Sequence, residues 1–174
     1  MLIIIALAVH EAAHLIAAFI LNIKLDKVKI TPFGFNLNAD LESIGFISKL
    51  VLFFAGPAAN LCLYIIFKIA GGSKFADANA LLAIINMVPV VPLDGGNICR
   101  SVMEIFLDMK TVCRYMIMTN TFFIICFLTI IHIQGNYLYF LLIVMALKGI
   151  LEENRSLIER NIKRKFNLIK YKRK

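Results

Sequence analysis

His10-Glu11-Ala12-Ala13-His14 puts two imidazoles one helical turn apart, on one face, where both can reach a single metal ion. Glu11 lies beside them, placed to take a proton from a water that the metal activates. In a soluble chain this spacing would mean a zinc hydrolase. Here the flanks, Leu2 to Val9 and Leu15 to Leu21, are wholly apolar and long enough together for hydrocarbon. An ionisable group at that depth costs roughly 3 kcal/mol on insertion scales, so three within five residues imply a task. The plainer reading is that they only pair with neighbouring helices.

Two histidines do not complete a catalytic zinc site, which takes three protein ligands and keeps the fourth position for water. His132 is the only other histidine and falls at the end of an apolar stretch, beside a turn. Asp94 is better placed. It follows Asn86-Met87-Val88-Pro89-Val90-Val91-Pro92-Leu93 and precedes Gly95-Gly96, an apolar segment broken by two prolines and a glycine pair. Backbone groups freed by such breaks are tolerated in a membrane only where protein or water satisfies them. An aspartate there indicates a polar cavity and offers a hard oxygen ligand. Asp94 would also serve as N-cap of the helix that follows, but only the ligand role completes a metal site.

The elements that must position these residues are membrane helices. The chain is 60% hydrophobic and 17% charged, with a mean hydropathy of +0.82, which excludes an ordinary soluble domain. Apolar stretches at Met1–Ile23, Ser48–Ala70, Ala76–Leu93, Met116–Ile133 and Tyr137–Leu151 predict about five spans, the last short and requiring Lys148 to snorkel. Residues 24 to 45 alternate apolar and polar types and carry Thr31-Pro32-Phe33-Gly34 and Asn36 to Asp40, which predicts a small β-hairpin or sheet. Gly71-Gly72-Ser73 predicts a turn, and Asn97–Leu107 an amphipathic surface helix. The expected fold class is an all-α polytopic membrane protein with about five transmembrane helices and a small β element after the first. Residues 1–151 form the core and 152–174 a basic tail. Met1–Leu21 lacks a basic leader region and is expected to stay in the mature protein.

Charge is uneven. Nine Lys/Arg against three Glu from Glu152 to Lys174 give +6 of the total +8, leaving +2 for the rest. A basic stretch after the last apolar segment marks the cytoplasmic side and anionic headgroups more readily than nucleic acid, so no nucleic-acid partner is expected. With that tail inside, five spans assign Lys24, Lys27, Lys29, Lys49, Arg100, Lys110 and Arg114 to the cytoplasm, against Lys68 and Lys74 outside. The C-terminal end of the helix that carries His10 to His14, and the residues after it, then lie toward the cytoplasm. Cys62, Cys99, Cys113 and Cys126 are widely spaced without a C-x-x-C pair, and read as reduced apolar residues.

Three segments in order, His10-Glu11-x-x-His14, Phe54-Ala55-Gly56-Pro57-x-x-Asn60 and Asn86-x-x-Pro89-x-x-x-Leu93-Asp94-Gly95, together resemble the site-2 protease family of intramembrane zinc metalloproteases. The resemblance implies His10, His14 and Asp94 as ligands of one zinc ion per chain, Glu11 as general base, and Asn86 near the substrate backbone. Thr31-Pro32-Phe33-Gly34 and the compact layout look most like the stage IV sporulation protein FB group, which cuts a membrane-associated pro-sigma factor. Nine residues precede His10, where that group usually has a further span.

The implied function is hydrolysis of a peptide bond in or near the membrane segment of a tethered regulatory protein. Its partners would be that substrate, the bilayer and regulatory membrane proteins. Residues 28–38 would pair with an unwound substrate as an added strand. Asn60, Asn86 and the Gly/Pro breaks would line a water path, although Asn60 reads equally well as a hydrogen bond between helices. The alternative from another class is a metal-handling transporter or sensor, which would use the same ligands without needing Glu11 as a base.

Overall fold

The computed structural model describes residues 1–23, 25–31, 34–39, 44–72, 74–137 and 139–172. Lys24, Pro32, Phe33, Asp40 and Ser73, each part of an expectation above, lie outside the described residues. Among the described residues there are six helices: α1 (Leu2–Ile20), α2 (Phe46–Ile69), α3 (Lys74–Asn86), α4 (Asp94–Phe106), α5 (Met109–Gln134) and α6 (Tyr139–Lys172). Between α1 and α2 run two short strands, β1 (Leu25–Thr31) and β2 (Gly34–Ala39), antiparallel with Val28 opposite Leu37.

Among the described residues three helices, α1, α2 and α5, are long and apolar enough to cross a bilayer, at 19, 24 and 26 residues. This corrects the expected fold class, which had about five transmembrane helices. The apolar run Ala76–Leu93 fails as a span because α3 stops at Asn86 after 13 residues, roughly 20 Å of rise against a hydrocarbon core of about 30 Å. Turns then fill 87–93, with a cis bond at Val91-Pro92. The stretch expected at Tyr137–Leu151 is the start of α6, which continues without a break through 151/152 into the basic segment. The surface helix predicted at Asn97–Leu107 begins three residues earlier, at Asp94. Among the described residues the architecture is mainly helical, and the two strands carry none of the residues described below.

The chain divides into two compact units. One comprises Met1–Val88 with Leu93–Val102, the other Pro89–Pro92 with Met103–Lys174. In the first, α1 is inverted relative to a helix of a water-soluble protein. Its buried stripe is Ala6, His10, His14, Ala17 and Ala18, while Ile4, Phe19 and Ile20 are exposed. The polar side chains face protein and the apolar ones face outward, as a bilayer requires. The matching stripes are Leu52, Gly56, Pro57 and Asn60 on α2, and Ala76, Asn79 and Ala83 on α3. Small residues recur at steps of three and four, which lets helix backbones approach closely where no hydrophobic effect drives association.

Local signals end these helices where they must end. After α1, Asn22 takes a left-handed conformation (φ 51°), with its N–H on Phe19 O and the Ile23 N–H on Ala18 O. After α2, Gly71 does the same, with Gly71 N–H on Lys68 O and Gly72 N–H on Phe67 O. Both are paired caps that satisfy the last orphan carbonyls. In the second unit, Asp108 caps α5 by accepting from the Lys110 and Thr111 N–H groups, and Val91, Val112 and Met116 form a small core with Met103 and Met109.

Candidate metal centre

One side chain from the start of α4 meets a pair from α1. His10 Nε2, His14 Nε2 and Asp94 Oδ2 form a triangle with edges of 3.2, 3.0 and 3.3 Å (His10–His14, His10–Asp94 and His14–Asp94). Donors held about 2.0–2.1 Å from a tetrahedral zinc lie about 3.3–3.4 Å apart, so the triangle has nearly the size of one face of such a site. Among the described residues these three form the one group of His, Cys, Asp or Glu that could hold a metal.

The other ring nitrogens decide what the triangle is. His14 Nδ1 lies 2.8 Å from the carbonyl of Leu52, which can only accept, so Nδ1 carries the proton and Nε2 a lone pair. His10 Nδ1 donates to Asn60 Oδ1 at 2.6 Å, which leaves its Nε2 in the same state. Two lone pairs and a carboxylate oxygen therefore face one another in a buried space. Asp94 Oδ2 lies within ion-pair distance of both rings yet has no directional hydrogen bond. An extra proton would relieve one edge of the triangle and leave the remaining acceptors opposed. A cation at the centre relieves all three, and two imidazoles with one carboxylate are a donor set that zinc accepts. The residues fit the metal.

The backbone makes room for this arrangement. A Cβ on Gly56 would sit 2.6 and 2.7 Å from His10 Cε1 and Nε2, and closer still to His14 Nε2. Only glycine lets α2 pass beneath both rings. The next residue, Pro57, removes a helical N–H one turn after Phe53 and loosens the ladder beside the Leu52 carbonyl that receives His14. Gly95 does the same for Asp94: a Cβ there would strike the Met87 carbonyl and come within 2.6 Å of Val88 O, so the first turn of α4 can close against the turn after α3. Asp94 is the first residue of α4, where the helix dipole also favours an anion. The capping role considered from sequence is thus replaced by one facing two histidines.

Glu11, half-buried, follows His10 on α1. Asn86 is the last residue of α3; its Nδ2 donates back to Leu82 O at 3.1 Å, and it is not part of the triangle. His132 lies near the end of α5, outside the metal-holding group. Asn60, for which two readings were open, is fully buried and joins three helices, donating to Ala6 O (3.1 Å) and Asn79 Oδ1 (2.7 Å) besides accepting from His10. Two residues escaped the sequence reading. Gly56 belonged to a noted motif, but its clearance for the rings depends on another helix. Asn79, a single asparagine in an apolar stretch, has no spacing that would mark it.

No family model matches the chain. A candidate zinc metalloprotease of Synechocystis sp. is 28% identical over 105 residues, an alignment that takes in 53% of this chain and only 28% of that protein. The site-2 protease from Methanocaldococcus jannaschii superposes with a TM-score of 0.71 at 20% identity, covering 87% of this chain and 75% of that one. The chain has the site-2 protease fold. That likeness extends across both units, whereas the curated relative is matched over little more than a quarter of its own length.

Proposed function

We propose that this protein is a zinc-dependent intramembrane endopeptidase, with His10, His14 and Asp94 as ligands of one zinc ion and Glu11 as general base. The observation that carries the reading is the triangle of three buried acceptors, two of them on a helix able to span a bilayer. A zinc ion there supplies a Lewis acid that brings the pKa of water toward about 7 and polarises a peptide carbonyl. The chain supplies the rest. The Leu52 carbonyl and Asn60 hold the two imidazoles in the ligating tautomer. The Glu11 carboxylate takes the proton of the attacking water and returns it to the leaving amine as the C–N bond breaks. Asn86, at the end of α3, is positioned for substrate only if its amide turns from Leu82 O.

The substrate class that this reading implies is a membrane-tethered regulatory protein, cut near the cytoplasmic end of its span, with a pro-sigma factor in sporulation as the narrower reading from the Thr31-to-Gly34 resemblance. Multi-pass insertion with the basic tail in the cytoplasm follows the positive-inside rule. A transporter would need further ligand clusters along a path, and the described residues offer one. Glu11→Gln discriminates. In proteoliposomes with tethered reporter peptides, cleavage should fall about 10²–10⁴-fold while zinc content stays near one per chain. Unchanged cleavage would remove Glu11 from the chemistry, and zinc uptake into the vesicle lumen without cleavage would favour transport.

A further inference from the structure

Both nitrogens of a neutral histidine cannot be acceptors, so something must decide which one carries the proton. For His14 a backbone carbonyl decides. For His10 the neighbour is an amide, Asn60, which could present either its oxygen or its NH2. The direction is set further away. The Phe75 carbonyl only accepts, so Asn79 must turn Nδ2 toward it (2.8 Å) and Oδ1 toward Asn60. Asn60 then gives one N–H to Asn79 Oδ1 (2.7 Å) and the other to Ala6 O (3.1 Å), which leaves only Oδ1 for His10 Nδ1 (2.6 Å). Both asparagines are fully buried, so water cannot compensate a reversal. Turning Asn60 over would set oxygen against oxygen at two places.

We propose that Asn79 is a positioning residue of the metal centre: acting through Asn60, it holds His10 in the Nδ1–H tautomer and so frees Nε2 to bind metal. This rests on the metal-site reading above. The shorter of the two bonds that orient Asn60 comes from Asn79, and without it only the Ala6 carbonyl opposes reversal. A reversed Asn60 donates to Nδ1, moves the ring proton to Nε2 and blocks ligation by His10. Asn79→Leu keeps the branched shape and removes the direction.

The test uses the full chain in detergent, labelled with nitrogen-15 histidine, metal-free and with the imidazoles neutral. Wild type should show a His10 whose Nε2 is unprotonated; Asn79→Leu should show both tautomers. Cobalt(II) affinity, read from its visible absorption, should fall about tenfold, the lower end of the 10–100-fold range for outer-shell partners. In the Asn60→Leu background, Asn79→Leu should weaken cobalt binding no further. Should Asn79→Leu not fold, Asn79→Ser serves, because a rotating hydroxyl bonds either way and imposes no direction. A single His10 tautomer with wild-type cobalt affinity in the variant overturns the proposal, and so does a full additional loss in the double variant. Absence of cobalt binding by wild type would instead sink the metal-site reading, while the tautomer spectra would still report on Asn79.

Discussion

Each unit contains a buried polar knot in apolar surroundings, and the two differ in one respect. In the second unit Asn120, fully buried, closes a ring with the backbone of one residue: its Oδ1 accepts from Val91 N–H (3.1 Å) while its Nδ2 donates to Val91 O (3.0 Å) and to Ala146 O (3.1 Å). Every donor there meets an acceptor. In the first unit, at the same kind of depth, three acceptors meet one another. Buried polar groups are expensive unless paired, so a satisfied knot is a structural device, whereas convergent acceptors left unsatisfied fit a cation. Glycine serves both. Gly56 clears space for the imidazoles, and Gly149 clears it for Asn120 and the Val91 carbonyl.

The comparison breaks first at the glycines. Gly56→Val should weaken metal binding by at least about 100-fold, because the branched carbon occupies the space of both rings, with helical content by circular dichroism kept. Gly149→Ala should instead lower stability by about 1–3 kcal/mol, the usual range for overpacking, and leave one metal per chain at saturating zinc. Metal loss in Gly149→Ala with Gly56→Val unaffected would reverse the roles assigned to the two knots. Asn120→Leu leaves a buried N–H and C=O without partners and should cost about 3 kcal/mol in denaturant titrations, again without loss of the metal.

Zinc itself gives a comparable shift. At about 100 times its dissociation constant it should stabilise the wild type by about 2.7 kcal/mol, through binding to the folded state alone, and Asp94→Ala by close to nothing. The smallest effect concerns Asp108. Its exposed carboxyl is held below the ordinary carboxylate range, first by the Thr111 hydroxyl and, against an opposing effect of desolvation, by the Thr111 and Lys110 N–H groups. A depressed folded value means the cap contributes fully above the ordinary carboxylate range and is lost as pH falls through the lowered value. Amide exchange at Lys110 and Thr111 should accelerate over that acid window, and Asp108→Ala should exchange fast at every pH.

The site was legible where chemistry leaves a spacing. His10 and His14 announce themselves at one helical turn, and Asp94 stands at a break that a membrane segment would not otherwise keep. The span count was not legible, because hydropathy averaged over 76–93 does not register that a helix ends at Asn86 and turns follow. The helix across 151/152 was hidden for the converse reason: composition changes there while the hydrogen-bond ladder continues. Asn60 and Asn79 show a further limit. A lone asparagine in an apolar run carries no periodic signal, and its meaning lies in which amide faces which across three helices.

The most direct measurement is zinc per chain in the detergent-purified full-length protein, wild type beside His14→Ala and Asp94→Ala, with folding verified for each. The account predicts about one zinc in the wild type and its loss or marked weakening in both variants. A folded wild type that binds no zinc, or variants that retain it undiminished, would contradict the claim that these three acceptors converge to hold a metal.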